Sequence, residues 1–276
     1  MQAPTLTAEP AAPTPLPMQW LRWLRVSAHI GVAVMLAGCV FPLVAVARRA
    51  QLVKWWSAKL LRILNIGLQV AGRRPHEHAR NTIIVANHIS WLDIFVINAA
   101  HPARFVAKSE VRSWPVVGWL CAKAGTIFIE RGRRRDTARI AAIMHDALQG
   151  GDTLGLFPEG TTTSGDHLLK FNSSLFEPAI ANHVHLAPVA LRYRTPDGER
   201  CDAVAFIGDL SFMASMQLII GQRSMGAELL FAPRIETDDL NRRELAQRTE
   251  IAIAAQLGIA LPKARQRFDA QDPEGS

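Results

Sequence analysis

Three short stretches of this chain contain residues of types and spacings that could do chemistry. In TIIVANHISWLD, Thr82 to Asp93, a smooth apolar run ends in Asn87 and His88, and Asp93 follows five residues after the histidine. A neutral imidazole can take a proton from a hydroxyl as that hydroxyl attacks a carbonyl, and a carboxylate beside it fixes the tautomer and stabilises the imidazolium. No serine or cysteine nucleophile is required, since a substrate alcohol serves. In LFPEGTTTSGD, Leu156 to Asp166, a second apolar run turns through Pro158, Glu159 and Gly160 into hydroxyl residues beginning at Thr161. Gly160 permits positive φ and close backbone approach, and the amides and hydroxyls there could hold an oxyanion or a phosphate. In TIFIERGRRRD, Thr126 to Asp136, a third run ends in Glu130 and Arg131, and a guanidinium suits bidentate phosphate recognition.

Each stretch also has a plainer reading. Five residues of regular helix turn through about 500°, so His88 and Asp93 do not share a helical face. They meet only if His88 lies in a turn leaving a strand and Asp93 in the first turn of a helix, with Ser90 as its N-cap. The same residues also describe a capping box from Ser90 to Asp93 with His88 an ordinary loop residue, and spacing alone favours that version. The tendency of α/β enzymes to place their sites at the C-terminal ends of strands weighs the other way. Pro158 to Gly160 alone is an ordinary turn, although Glu159 has no evident structural need there. Arg133 to Arg135 read as a solvated face, and Arg131, directly at the end of its run, is the better ligand candidate.

The elements that must position these residues follow from periodicity. Apolar runs at 82–86, 103–107, 126–129, 153–157, 186–193, 203–207 and 227–233 read as strands. Helical patterns follow Asp93, fill 137–149 and 173–181, and close the chain over 240–257, where Asn241 and Glu244 form a capping signature. Short apolar strands alternating with helices imply an α/β domain, a mixed central sheet covered by helices, over about 73–262. Residues 1 to about 17 lack a periodic apolar face and read as unstructured, and the C-terminal tail 263–276 ends in DAQDPEGS, which reads the same way.

Residues 18–72 read as a helical membrane anchor. Val26 to Ala47 carries no formal charge and as a helix would span roughly 33 Å, about the thickness of a bilayer's hydrocarbon. Leu36 to Cys39 resembles a lipoprotein cleavage site, but the apolar run continues past it. Pro42 also allows a segment that dips in and returns. Arg22 and Arg25 precede the run, while Arg48, Arg49, Lys54, Lys59 and Arg62 follow it, which places the rest of the chain on the cytoplasmic side of the inner membrane. Residues 51–72 then read as a basic amphipathic helix lying at the interface, with Trp55 and Trp56 at headgroup level and Lys59 snorkelling.

The order NHISWLD, FIER, FPEGTTTS, APVAL over about Arg80 to Arg192 resembles the lysophospholipid acyltransferases, whose best-known members are the 1-acyl-sn-glycerol-3-phosphate acyltransferases. The four blocks in this order are specific where each alone is weak, and they reverse the preference for a mere capping box. The resemblance implies that His88 is the catalytic base and Asp93 its orienting partner. It further implies that Arg131, Glu159, Gly160 and Thr161 bind the acceptor's head group, and that the acyl donor is acyl-CoA or acyl-carrier protein, with no other cofactor and no metal. Pro188, in the last block, carries no clear chemical role. One departure concerns the acceptor. After Lys170 the chain reads Phe171, Asn172, Ser173, Ser174, with fewer cations than many phosphatidate-forming members. Relatives with a Ser-Ser-Leu-Phe pattern include lyso-ornithine lipid acyltransferases, so the acceptor is 1-acyl-sn-glycerol-3-phosphate in the first reading and lyso-ornithine lipid in the second.

Composition narrows the partners. The formal net charge of +7 suits a polyanion, and among polyanions an anionic membrane surface. One tyrosine in the whole chain makes an aromatic RNA-stacking platform a poor fit, so no nucleic acid is expected. Cys39, Cys121 and Cys201 are scattered and match no zinc spacing. A thioesterase, with water in place of the lysolipid hydroxyl, is the nearest enzymatic rival, and a basic membrane-surface or nucleic-acid-binding protein, which would leave His88, Asp93 and Glu159 idle, is the rival outside enzymes.

Overall fold

The computed structural model describes residues 13–75, 82–129 and 134–262, the side chains of 134–141 excepted. Two helices come first, α1 (Leu16–Met35) and α2 (Val46–Ile63), joined by a π turn (Leu36–Val40) and a 3-10 turn at Pro42. Then follow β1 (Ile66–Gly72), β2 (Thr82–Ala86), α3 (Asp93–Ala100), β3 (Arg104–Lys108), α4 (Val117–Lys123), β4 (Ile127–Ile129) and α5 (Arg134–Gln149). The chain continues with β5 (Thr153–Leu156), α6 (Glu177–Ala181), β6 (His185–Arg194), α7 (Phe212–Gly221), β7 (Met225–Phe231) and α8 (Arg242–Leu257).

The strands form one mixed sheet in the order β1-β7-β6-β2-β5-β3-β4. β2 lies at its centre, parallel to both β5 and β6, and only the β6–β7 pairing is antiparallel. Every residue of β2 is buried, and its side chains alternate between two apolar clusters. Ile84 and Ala86 face the side covered by α2, α3 and α7, whereas Ile83 and Val85 face the side covered by α5 and α8. A strand buried on both faces must read as a continuous apolar run, and TIIVA does. This is the α/β architecture expected, a central sheet covered by helices.

Three expectations are corrected. The pattern over 51–72 is not one helix: α2 ends at Ile63 and Asn65 turns the chain at φ 58°, so that Ile66 to Gly72 pairs in parallel with β7. Residues 203–207 do not form a strand. Instead they form a 3-10 turn (Asp202–Val204) and an extended piece lying over the turn after β2, where Phe206 N–H donates to Ile89 O at 2.9 Å. Ser90 does not cap α3, which begins at Asp93; its hydroxyl is buried without a hydrogen-bond partner among the described residues.

At the closing helix Asn241 and Glu244 form the expected capping box. Near the N-terminus one helical stretch, Leu16–Leu43 (28 residues), is long and apolar enough to cross a membrane. It is also tied to the domain. Arg22 is buried and donates to the carbonyls of Ile220 (2.9 Å), Gln222 (2.5 Å) and Arg223 (2.9 Å), leaving Arg25 as the exposed cation at the front of the helix. His29 stacks on Trp56, ring centroids 4.5 Å apart, and Trp56 Nε1–H donates to His29 O. The opposite side of α1 is apolar and open, with Trp20 75% exposed.

Candidate active site

The sheet edge formed by the C-terminal ends of β2 and β5 holds the candidate residues. β2 and β5 are parallel neighbours, so the turns that follow them lie side by side. β2 stops pairing as a strand at Ala86, and the side chain of Asn87 takes over: its Nδ2–H donates to Leu191 O at 2.9 Å and its Oδ1 accepts Leu191 N–H at 2.8 Å. This amide copies a main-chain pairing and fixes the end of β2 to β6 just before the chain turns. His88 is the next residue.

His88 Nδ1 lies 2.8 Å from Asp93 Oδ2, so the turn does bring together the pair that a regular helix would separate. The same Oδ2 accepts the main-chain N–H groups of Ile89 (2.7 Å) and Ser90 (2.9 Å), which can only donate. Asp93 therefore closes its turn with its own carboxylate and also serves the imidazole: the capping role belongs to the aspartate rather than to the serine. Its other oxygen, Oδ1, accepts the Tyr193 hydroxyl at 2.8 Å. Asp93 has no solvent exposure, whereas the His88 side chain keeps 19%. With Oδ2 as acceptor, the ring proton sits on Nδ1 and Nε2 keeps its lone pair.

The turn after β5 supports this pair from the other side. The Phe157 ring stacks on His88 at 4.0 Å between centroids, and Phe105 of β3 stacks on Phe157 at 5.3 Å. Glu159 accepts the His88 N–H on Oε1 at 2.8 Å and the Leu169 N–H on Oε2 at 2.9 Å. Burial pushes this carboxyl up to about 7, against the lowering effect of the two amides and of His88. Gly160 has φ 73°, as its place in the turn requires, and Thr161 is exposed. Thr163 N–H donates to His88 O at 2.8 Å, and the Thr162 hydroxyl donates to Phe206 O.

Thus His88, Asp93, Glu159, Gly160 and Thr161 come together at one edge. Arg131 lies outside the described residues. Pro188 sits inside β6, with its carbonyl accepting Ala232 N–H. Phe157 and Tyr193 had no role in the sequence reading. Phe157 directly precedes the Pro-Glu-Gly turn, a position that signals proximity, but the contact of Tyr193 spans a hundred positions and leaves no local mark.

A buried carboxylate paired with a partly exposed imidazole thus lies on the rim of an α/β sheet. The family model described as Acyltransferase matches residues 67–192. The lyso-ornithine lipid O-acyltransferase of Pseudomonas aeruginosa is 38% identical over 221 residues, 79% of this chain and 83% of that one. A 1-acyl-sn-glycerol-3-phosphate acyltransferase of Neisseria gonorrhoeae is 37% identical over 198 residues, 71% of this chain and 76% of that one. The crystal structure of a 1-acyl-sn-glycerophosphate acyltransferase from Thermotoga maritima has the same fold, with a TM-score of 0.66 at 19% identity over 92% of this chain and 97% of that one. The chain belongs to this acyltransferase family.

Proposed function

We propose that the protein moves a fatty acyl group from acyl-CoA or acyl-carrier protein to the free hydroxyl of a lysolipid, with His88 as the general base. The observation that carries this reading is the His88–Asp93 pair, whose single shared oxygen holds the imidazole with Nε2 free. Nε2 takes the proton of the lysolipid hydroxyl as its oxygen attacks the thioester carbonyl carbon. A C–O bond forms, the carbonyl electron pair moves onto oxygen, and collapse of the tetrahedral adduct breaks the C–S bond. The imidazolium then gives its proton to the departing sulfur, leaving a diacylated lipid and a free thiol.

The acceptor we assign first is 1-acyl-sn-glycerol-3-phosphate, giving phosphatidic acid, with Arg131, Gly160 and Thr161 on the side of its phosphate. Glu159 serves this side indirectly, since both its oxygens already hold main-chain amides. A second acceptor, lyso-ornithine lipid, is favoured by the Pseudomonas relative and by the stretch Asn172 to Ser174. Asn172 N–H donates to Pro158 O at 2.9 Å, so this stretch borders the Glu159 turn, where head-group choice would be made. The apolar Leu16–Leu43 stretch and the cations after it support attachment to the inner membrane with the catalytic edge on the cytoplasmic face, where both thioesters occur.

The test offers membranes containing the protein lysophosphatidic acid and lyso-ornithine lipid separately, each with an acyl thioester, and analyses the lipid products. Preference for lysophosphatidic acid, with an Arg131→Ala variant that raises KM for that acceptor alone, supports the first assignment. Preference for lyso-ornithine lipid supports the second. Free fatty acid without diacylated lipid would mean hydrolysis and would sink both.

A further inference from the structure

We infer that Tyr193 is a positioning residue for the base: from β6 it holds the second oxygen of Asp93 so that the first stays aimed at His88. The inference rests on the base role proposed for His88. The main-chain amides of Ile89 and Ser90 and the imidazole all converge on Oδ2. Three donors on one oxygen leave the carboxylate free to pivot about it. The Tyr193 hydroxyl, on Oδ1 at 2.8 Å, removes that freedom from a different element of the fold. Its own placement is fixed two residues earlier, where the Asn87 side chain grips both main-chain groups of Leu191.

The hydroxyl has no other evident purpose. Tyr193 is 2% exposed and its ring belongs to the apolar cluster beneath α3, where a phenylalanine would pack as well. A buried hydroxyl with a single acceptor partner is costly unless that bond is made. Burial, and after it the Asp93 charge, raises the phenol well above its ordinary range, so it remains a donor wherever the imidazole titrates. Among the described residues, the titratable groups facing the pair are Glu159 from the loop after β5, Tyr193 from β6, and Cys201 behind the phenol.

Tyr193→Phe keeps the ring and deletes only the donor. We expect kcat to fall about tenfold, with KM for donor and acceptor unchanged and the melting temperature reporting the fold. The acid limb of the pH–rate profile should move to higher pH, because Asp93 without the phenol's proton holds the imidazolium more firmly. In a His88→Ala background the same substitution should leave the residual rate unchanged. Since Tyr193 is the chain's only tyrosine, replacing tyrosine biosynthetically by 3-fluorotyrosine alters this donor alone. The stronger acid should shift the acid limb to lower pH in a protein whose packing is intact. A folded Tyr193→Phe protein with wild-type kcat and an unmoved acid limb would overturn the inference, as would an equal loss in the His88→Ala background. Full activity of His88→Ala by itself would remove the base role, and the inference with it.

Discussion

Glu159 and His88 are joined through the backbone: Glu159 Oε1 accepts the His88 main-chain N–H at 2.8 Å while Oε2 accepts that of Leu169 at 2.9 Å. One carboxylate thus clamps the turn after β2 to the loop after β5, and the His88 imidazole rides on that clamp. Replacing Glu159 by Gln turns an amide N–H toward one of two main-chain donors. The expected result is a kcat lowered about tenfold with KM for the lysolipid little changed. A direct head-group ligand would instead show its loss in KM.

The same carboxyl gives stability a pH dependence. Burial raises it from 4.5 to about 7 in the folded protein. Between those values the native state holds a proton that the unfolded chain has released. Stability from this group is therefore full below pH 4.5 and is lost as the pH rises through about 7. Melting curves across that range should fall less steeply with pH for Glu159→Gln than for the wild type. Identical slopes would place the pH dependence elsewhere.

Asn87 tests the strand end that carries the site. Asn87→Ala leaves a buried N–H and C=O of Leu191 without partners on that side. We expect a loss of on the order of 2–4 kcal/mol in urea unfolding. A change within about 0.5 kcal/mol, the scale of an ordinary surface substitution, would contradict the clamp.

Gly155 tests the stacked rings. A Cβ there would lie 2.4 Å from a ring carbon of Phe105, which stacks on Phe157, which stacks on His88. Gly155→Ala should cost about 1–3 kcal/mol by overpacking and lower kcat several-fold as the imidazole's support shifts. Adding Phe105→Leu should restore part of both. A Gly155→Ala protein with wild-type melting temperature and turnover would show that the rings do not steady the base.

What could be read from the sequence depended on how local each signal was. β2 was legible because a strand buried on both faces must be largely apolar and this one ends abruptly in Asn87 and His88, and β5 because its short apolar run breaks at Pro158 and Glu159. The approach of His88 to Asp93 was legible as a condition on a turn, but the capping role given to Ser90 belongs to Asp93 itself. β1 was hidden because Ile66 and Val70 continue the apolar spacing of α2; the break is marked only by Asn65, a residue type that readily adopts the left-handed conformation seen there. Residues 203–207 misled because an apolar run does not distinguish a strand from an extended piece packed over another turn, as Phe206 is over Ile89. The bonds of Tyr193, Asn87 and Glu159 join positions far apart in the chain, so spacing could not reveal them.

The most direct test of the account compares wild type and His88→Ala for acyl transfer from a thioester to a lysolipid, using membranes with equal amounts of folded, membrane-bound protein. The account predicts a loss of roughly 10²–10⁴ in turnover, the range that general-base assistance supplies. Undiminished transfer by the folded variant would contradict it.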